Sequence, residues 1–410
     1  VHEPTHLVLN SNKWFSAVSA YSFQLALYLH HVRKAAVLLG AHPGSPLFER
    51  AELQEFQKKE IPFLPPGIGN FMRSWCCLSN ILKQQISTQT VVWTFEGREH
   101  TLCILHRAVM KSLWKHAILV RVRGQAGEVK PGYLNRLVYT RFTDKLVCVA
   151  SIVARRIPFH LSATQSRVFP YCVEIPKTQE IQPHTKKSIQ RISFLENAPD
   201  IDFSDPVFLV VGRYDPVKGH EGLIKAFAKC AFTSETAKVQ LIFVGESKNV
   251  RARDLFETGK SLFAKSAEGK SRFWLADETG KKNIFIFDER RNDIEALMAQ
   301  AHFGIIPSLG SEVICRVAVE FMKNGTPLLV SDAGALPEVA QGSPSRVFAA
   351  GHEESMCSAL EWAYSMACDD VYHSRFRKRA QEFVATKYSW EKFDDMVSWI
   401  TSRKKETDQL

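Results

Sequence analysis

The chain has 410 residues, 45% apolar and 23% charged, and that length favours two domains over a single core. No run approaches the ~18 uncharged apolar residues of a spanning helix; the 14 histidines form no H-E-x-x-H pattern and the nine cysteines no C-x-x-C pair, so neither a metal site nor a disulfide framework is expected. Residues 1–200 hold 25 Lys and Arg against 13 Asp and Glu, whereas residues 201–410 hold 28 against 30, so the N-terminal half is expected to meet something anionic.

The opening residues VHEPTHLVLN lack an initiating Met and a basic-then-apolar signal pattern, so a trimmed or incomplete, unsecreted chain is expected. Strand candidates in the first half are HLVLN (6–10), KAAVLLG (34–40), PFLP (62–65), VVWTF (91–95), AILVRVRG (117–124) and KLVCVA (145–150), with a helix over 15–31. GIGNFMRSWCCLSNILKQQ (67–85) and RAVMKSLWKH (107–116) mix aromatic with basic residues: Phe71, Arg73, Trp75 and Lys83, then Trp114 and Lys115. Such a mixture suits an anionic bilayer surface. It equally describes a helix whose core face is Trp75, Leu78 and Leu82. No zinc finger, basic helix or RNP-type motif supports nucleic acid.

A polar stretch (177–190) and ENAPDIDFSDP (196–206) read as the linker. Beyond it come strand candidates VFLVVG (207–212), VQLIFVG (239–245), IFIFD (284–288), FGIIPS (303–308) and PLLVSD (327–332), separated by helices at 219–230 and 292–301. Alternating strands and helices predict an α/β chain of two Rossmann-like doubly wound domains, 1–200 and 201–387, facing an interdomain cleft.

Two polar signatures stand out. In VVGRYDPVKGH a strand, a loop and a helix meet, a junction whose unpaired amides favour anions. Arg213 can clamp phosphate with its planar fork and Lys218 adds a point charge. Taken alone, a pair of Arg213 with Asp215 and a solvated Lys218 explain the motif equally well. The second, IPSLGSEVICRVAVEFMKNGTPLLVSDAGALPEV, spaces Glu312 and Glu320 by eight residues around a helix predicted over 313–322. The amides of Val313, Ile314, Cys315 and Arg316 would open that helix toward a ligand.

These two motifs resemble the G-R-x4-K-G and E-x7-E signatures of the family 4 retaining glycosyltransferases of GT-B fold, the group 1, lipopolysaccharide and glycolipid type. NSNKWFSAVSAYSFQLALYL (10–29), GSPLFERA (44–51) and YSWEKFDDMVSWI (388–400) resemble the same family's first helix, its following loop and a C-terminal helix (about 388–403) that returns to the first domain. The resemblance implies a donor-binding second domain and an acceptor-binding first one. Arg213 and Lys218 would hold the donor diphosphate, Glu320 the ribose and Glu312 the transferred sugar. The base would stack or hydrogen-bond beside Phe287 and Asp288, mainly through backbone, with Gly245 in the pocket's turn. It further implies a hexosyltransferase with no metal and no cofactor, a nucleotide-sugar donor (UDP favoured), a glycolipid or saccharide acceptor, and a cytoplasmic, membrane-peripheral place in envelope biosynthesis. The resemblance makes Val313-Ile314-Cys315 and Trp14-Phe15-Ser16 donor-binding, but the sequence departs from the pattern at both, where G-F-G and paired glycines respectively are common. Arg123 stands where many members have a donor-contacting His and would serve catalysis by stabilising charge on the diphosphate or holding an acidic acceptor. The alternatives are a degenerate sugar-nucleotide-binding or scaffold protein and a sugar-nucleotide epimerase; a phosphorylase would need a pyridoxal lysine that is not found.

Overall fold

The computed structural model describes residues 3–50, 55–63, 67–85, 89–175, 191–232, 238–310 and 312–402. Contacts divide the chain into two units, 1–174 with 388–410, and 175–387.

The first unit runs β1 (Thr5–Asn10), α1 (Ala17–His31), β2 (Val37–Ala41), β3 (Gln57–Glu60), α2 (Ile68–Gln84), β4 (Thr90–Thr94), α3 (Gly97–Val109) and β5 (Ala117–Arg123). It continues with α4 (Tyr133–Leu137), β6 (Lys145–Cys148), α5 (Ser151–Arg155) and β7 (Ser166–Val168). The strands form one parallel sheet ordered β3-β2-β1-β4-β5-β6-β7. Its central strands are apolar and buried along their length, as both faces of a parallel sheet require. The chain starts in the middle, moves outward to β3, then crosses back to β4. Loops leaving β1 and β4 therefore diverge, and a crevice opens between their carboxyl ends.

Two readings of this half are corrected. The third strand is the polar edge QKKE at 57–60, not PFLP; Pro62 and Phe63 are outside any strand, and 64–65 lie outside the described residues. An edge strand lacks the apolar run by which strands are read. The short edge strand β7 was missed for the same reason. The C-terminal helix Glu391–Thr401 packs on α1. There Tyr28 and Arg33 donate to Asp394 at 2.7 and 2.6 Å, and the Trp390 indole N–H donates to Gln24 at 2.9 Å.

The second unit opens with an antiparallel pair, β8 (Arg191–Ile192) and β9 (Ile201–Asp202), so part of the presumed linker is built into this unit. Then follow β10 (Val207–Val211), α6 (His220–Lys229), β11 (Val239–Gly245), α7 (Ala252–Lys260), β12 (Lys265–Glu268), β13 (Arg272–Ala276) and β14 (Lys282–Asp288). After these come α8 (Ile294–Gln300), β15 (Phe303–Ile306), α9 (Arg316–Lys323), β16 (Leu328–Ser331), α10 (Leu336–Ala340), β17 (Arg346–Phe348), α11 (Glu353–Ala367) and α12 (Asp370–Lys387). The sheet order is β12-β13-β14-β11-β10-β15-β16-β17, parallel except for β12 and β13 at one edge. That antiparallel addition was not anticipated: β12 (KSAE) has the composition of a surface loop, and the buried apolar run of β13 (RFWLA) was passed over as a strand. The winding reverses between β10 and β15, so the loops after these two strands are where a ligand site is favoured.

Candidate functional site

Both polar signatures leave the sheet of the second unit at this switch point. After β10 the chain turns through Arg213–Asp215 into a single 3-10 turn, Pro216–Lys218, capped by the Asp215 carboxylate accepting from the Val217 amide at 3.2 Å. Gly219 ends the turn at φ 69°, and a Cβ there would lie 2.1 Å from the Pro307 carbonyl oxygen. Only glycine permits both the left-handed backbone and that approach. The Leu309 amide then donates to the Val217 carbonyl at 2.7 Å, zipping the two loops together. Gly245 does the same at the next strand: a Cβ would come 2.0 Å from the Gly212 carbonyl oxygen.

This zipping brings Lys218 onto Glu312 as a close ion pair, with side chains 28% and 14% exposed. The same carboxylate oxygen accepts from the Ser308 hydroxyl at 2.7 Å. From below, the Glu312 carbonyl accepts the Ala335 amide at 2.7 Å, and Gly334 (φ 60°) sits where a Cβ would touch that carbonyl. Glu312 is thus fixed at both its side chain and its backbone. Arg213 is different: its side chain is 60% exposed and 3.6 Å from Asp215, leaving its fork open to solvent.

The helix α9 starts at Arg316, three residues later than the sequence pattern implies, because Cys315 takes a left-handed conformation, φ 51° and ψ 35°. Among the described residues, the amides of 313–317 donate to no acceptor; the first bonded ones are Ala318 and Val319, both to the Cys315 carbonyl. A short row of free N–H groups at a helix start is an anion cradle. Val313, Ile314 and Cys315 are themselves buried, so packed side chains fill positions where the resembling family commonly has glycine. Burial pushes the Cys315 thiol well above its usual range, and the neighbouring Glu312 carboxylate adds to this. A non-glycine residue in this backbone region carries a penalty of about 1 kcal/mol. Cys315→Gly is therefore expected to be more stable than Cys315→Ala by about that amount in urea unfolding, the reverse of the order at a helical position.

Glu320 lies one helical turn from Arg316, whose guanidinium is 3.4 Å away, and its carboxylate is 27% exposed. Burial raises its pKa, with Arg316 pulling the other way. The Phe287 ring is wholly buried against Phe194 and its carbonyl accepts the Tyr214 hydroxyl at 2.5 Å, so this strand end presents backbone and not an aromatic face to any ligand. Asp288 is engaged too, accepting the Ser247 amide and hydroxyl at 2.7 Å each. The sequence reading missed the holding roles of Ser308 and Asp215. It also missed Asn249, whose amide donates to Asp215 at 2.7 Å. Only their place in the two loops hinted at the roles of Ser308 and Asp215, and Asn249, in the loop after β11, carried no such signal.

In the first unit, Arg123 is no surface arginine. It is buried at the end of β5, donating to the Tyr139 hydroxyl at 3.1 Å and to the Gly127 carbonyl, so it holds a loop of its own unit. Its Nε has no partner among the described residues. Ser16 caps α1 by accepting the Ser19 amide at 3.2 Å, Phe15 lies under the Arg50 guanidinium at 4.4 Å, and Trp14 is 72% exposed. Trp114 is corrected: it is a core residue, 3% exposed, with its indole N–H on His106 at 2.9 Å. Trp75 is half-buried, its ring 4.6 Å from that of His106, while Leu78 and Leu82 are core. Phe71, Arg73, Lys83 and Lys115 remain exposed.

The chain and its fold have counterparts among known proteins. Residues 193–383 match the family model of the glycosyl transferases group 1. That span covers both signatures and nearly all of the second unit. Lipopolysaccharide 1,2-N-acetylglucosaminetransferase of Salmonella typhimurium is 25% identical over 199 residues, 47% of this chain and 49% of that protein. The chain thus spans half or less of the length of the curated relatives it matches. By fold, a glycosyltransferase from Rickettsia africae superposes with a TM-score of 0.73 at 14% identity, covering 98% of this chain and 99% of that one. Anabaena HepE, crystallised with UDP and glucose, gives 0.64 at 14% identity, covering 97% and 98%. The architecture, two Rossmann-like units with parallel sheets, is GT-B.

Proposed function

We propose that the chain is a retaining glycosyltransferase that moves a hexosyl group from a nucleotide sugar, a UDP-sugar by preference, to a glycolipid or lipopolysaccharide-type acceptor. The observation that carries this reading is the convergence of Lys218, Glu312, Ser308 and the free amides of 313–317 at the switch point of the second unit. Lys218 and Arg213 would neutralise the diphosphate as it leaves, together with the helix-start amides, so the reading calls on no metal or cofactor. Glu312 would then read hydroxyls of the transferred sugar, and Glu320 the ribose. Retention of configuration would follow from same-face attack, the departing phosphate oxygen taking the acceptor proton.

The first unit would hold the acceptor. On α2, Ile68, Phe71 and Met72 are 84%, 39% and 49% exposed, and Arg73 beside them is exposed too. With the net +12 of residues 1–200, this supports peripheral contact with an anionic membrane on its cytoplasmic face. Among the described residues no helix is long and apolar enough to cross a membrane.

Nucleotide release from a panel of UDP-, GDP- and ADP-sugars, with and without lipid-linked saccharide, tests the reading. The expected result is release from one UDP-sugar, stimulated by acceptor. Binding of a nucleotide without turnover would instead favour a degenerate sugar-nucleotide-binding relative, a reading that the filled Val313-Ile314-Cys315 loop supports.

A further inference from the structure

Two cysteines 127 residues apart meet where the end of α6 packs on α11. Cys230 caps the C-terminus of α6, and Cys357 lies in the second turn of α11. Their thiols share one acceptor: each Sγ donates to the Ala226 carbonyl at 3.2 Å. The Cys230 amide donates to that same oxygen at 3.1 Å. A carbonyl oxygen has two lone pairs, so three donors crowd it and one thiol proton is surplus. The Cys230 sulfur also stands 3.9 Å from the Cys357 carbonyl oxygen, against the backbone of its neighbour. A disulfide needs that approach, and loss of both thiol protons leaves the Ala226 carbonyl its amide partner.

The two sulfurs differ in access. Cys230 is 2% exposed, whereas Cys357 is half-buried and lines a surface pocket with Lys229, Glu353, Glu354 and Ser358. Lys229 and Glu353 pair at 2.5 Å beside it. Burial raises the pKa of both thiols, and at Cys230 the adjacent Cys357 adds to the rise. At Cys357 the hydrogen bond with Cys230 and the Lys229 ammonium pull the other way, against Glu353 and Glu361. Cys357 is therefore the sulfur that an oxidant meets first, and Cys230 the one that resolves it.

We propose that Cys357 and Cys230 form a modification site for a hydroperoxide, closing to a reversible disulfide that staples α6 to α11. The Cys357 thiolate attacks one peroxide oxygen and the O–O bond breaks. The leaving hydroxide takes up the proton the thiol released, giving water and a Cys357 sulfenic acid. The Cys230 sulfur then attacks the sulfenic sulfur, the S–O bond breaks, and hydroxide leaves with the Cys230 proton as a second water. Two electrons pass from the thiols to the peroxide. The pair lies at the opposite end of α6 from Lys218, and the inference stands independently of the transferase reading.

Peptide mapping tests it. Hydrogen peroxide is added to the whole folded chain, remaining thiols are alkylated in urea, and peptides are weighed with and without dithiothreitol. The exposed Cys76 and Cys368 serve as internal controls. One linked pair is expected, the Cys230 and Cys357 peptides joined with the loss of two hydrogens and separated again by dithiothreitol. Cys230→Ser should leave Cys357 as a sulfenic acid that dimedone traps, and Cys357→Ser should abolish the link. The mapping itself needs no substitution, so it decides even where a serine variant fails to fold. The linked chain should also unfold at a higher urea concentration than the reduced one, because the closed loop restricts the unfolded state. Cys230 still open to alkylation once Cys76 and Cys368 have reacted, a main product linked to another cysteine or between chains, or an unchanged or lower unfolding midpoint would each overturn the proposal.

Discussion

Glu312→Gln is expected to lower sugar transfer by about 100-fold or more while tightening UDP binding several-fold. The Lys218 ammonium is compensated by the Glu312 carboxylate. A diphosphate must compete for that cation and also approach a fixed negative charge. Gln keeps a carbonyl acceptor for the Ser308 hydroxyl but removes the competition, so UDP, which has no sugar, gains. The nucleotide sugar loses, because an ionised acceptor binds hydroxyls about twice as strongly as a neutral one. Titration calorimetry with UDP, paired with turnover on the preferred donor, separates the two effects. Weaker UDP binding in the variant would show that the carboxylate organises Lys218 rather than competing for it.

Gly219→Ala should cost about 2–4 kcal/mol of stability and abolish UDP binding. The added Cβ would sit 2.1 Å from a backbone oxygen of Pro307, and backbone cannot yield as a flexible side chain can. Relief would require unzipping the Leu309–Val217 contact, which is what places Lys218 beside Glu312. Gly222, three residues on and inside α6, supplies the control: a Cβ there meets nothing within 4 Å. Gly222→Ala should raise stability by about 0.5–1 kcal/mol through helix propensity. Urea unfolding of the pair, followed by UDP titration, checks both. Equal stability of the two variants would remove the close approach as the reason for glycine at 219.

Much of the architecture was legible. Runs such as VFLVV and VQLIFVG can be central strands of a parallel sheet because burial on both faces favours near-continuous apolar runs. Edge strands such as Gln57–Glu60 and Lys265–Glu268 were not legible, since exposure on an edge permits the composition of a loop. The same logic divides the candidate site. Arg213, Lys218 and Glu312 were nominated by spacing. Trp114 looked equally eligible, yet its side chain proved to be core.

The order of strong strands and helices, the charge asymmetry and the two polar signatures belong to the sequence, because each follows from residue type and local periodicity. Folding decided which charged groups meet. Lys218 and Glu312 are 94 residues apart, and a switch in strand order joins their loops. Folding also decided that Cys315 bends left-handed, that Arg123 is tied within its own unit and that Trp14 is held in water. Such outcomes depend on close approach between distant backbone segments, and local pattern carries no record of that distance.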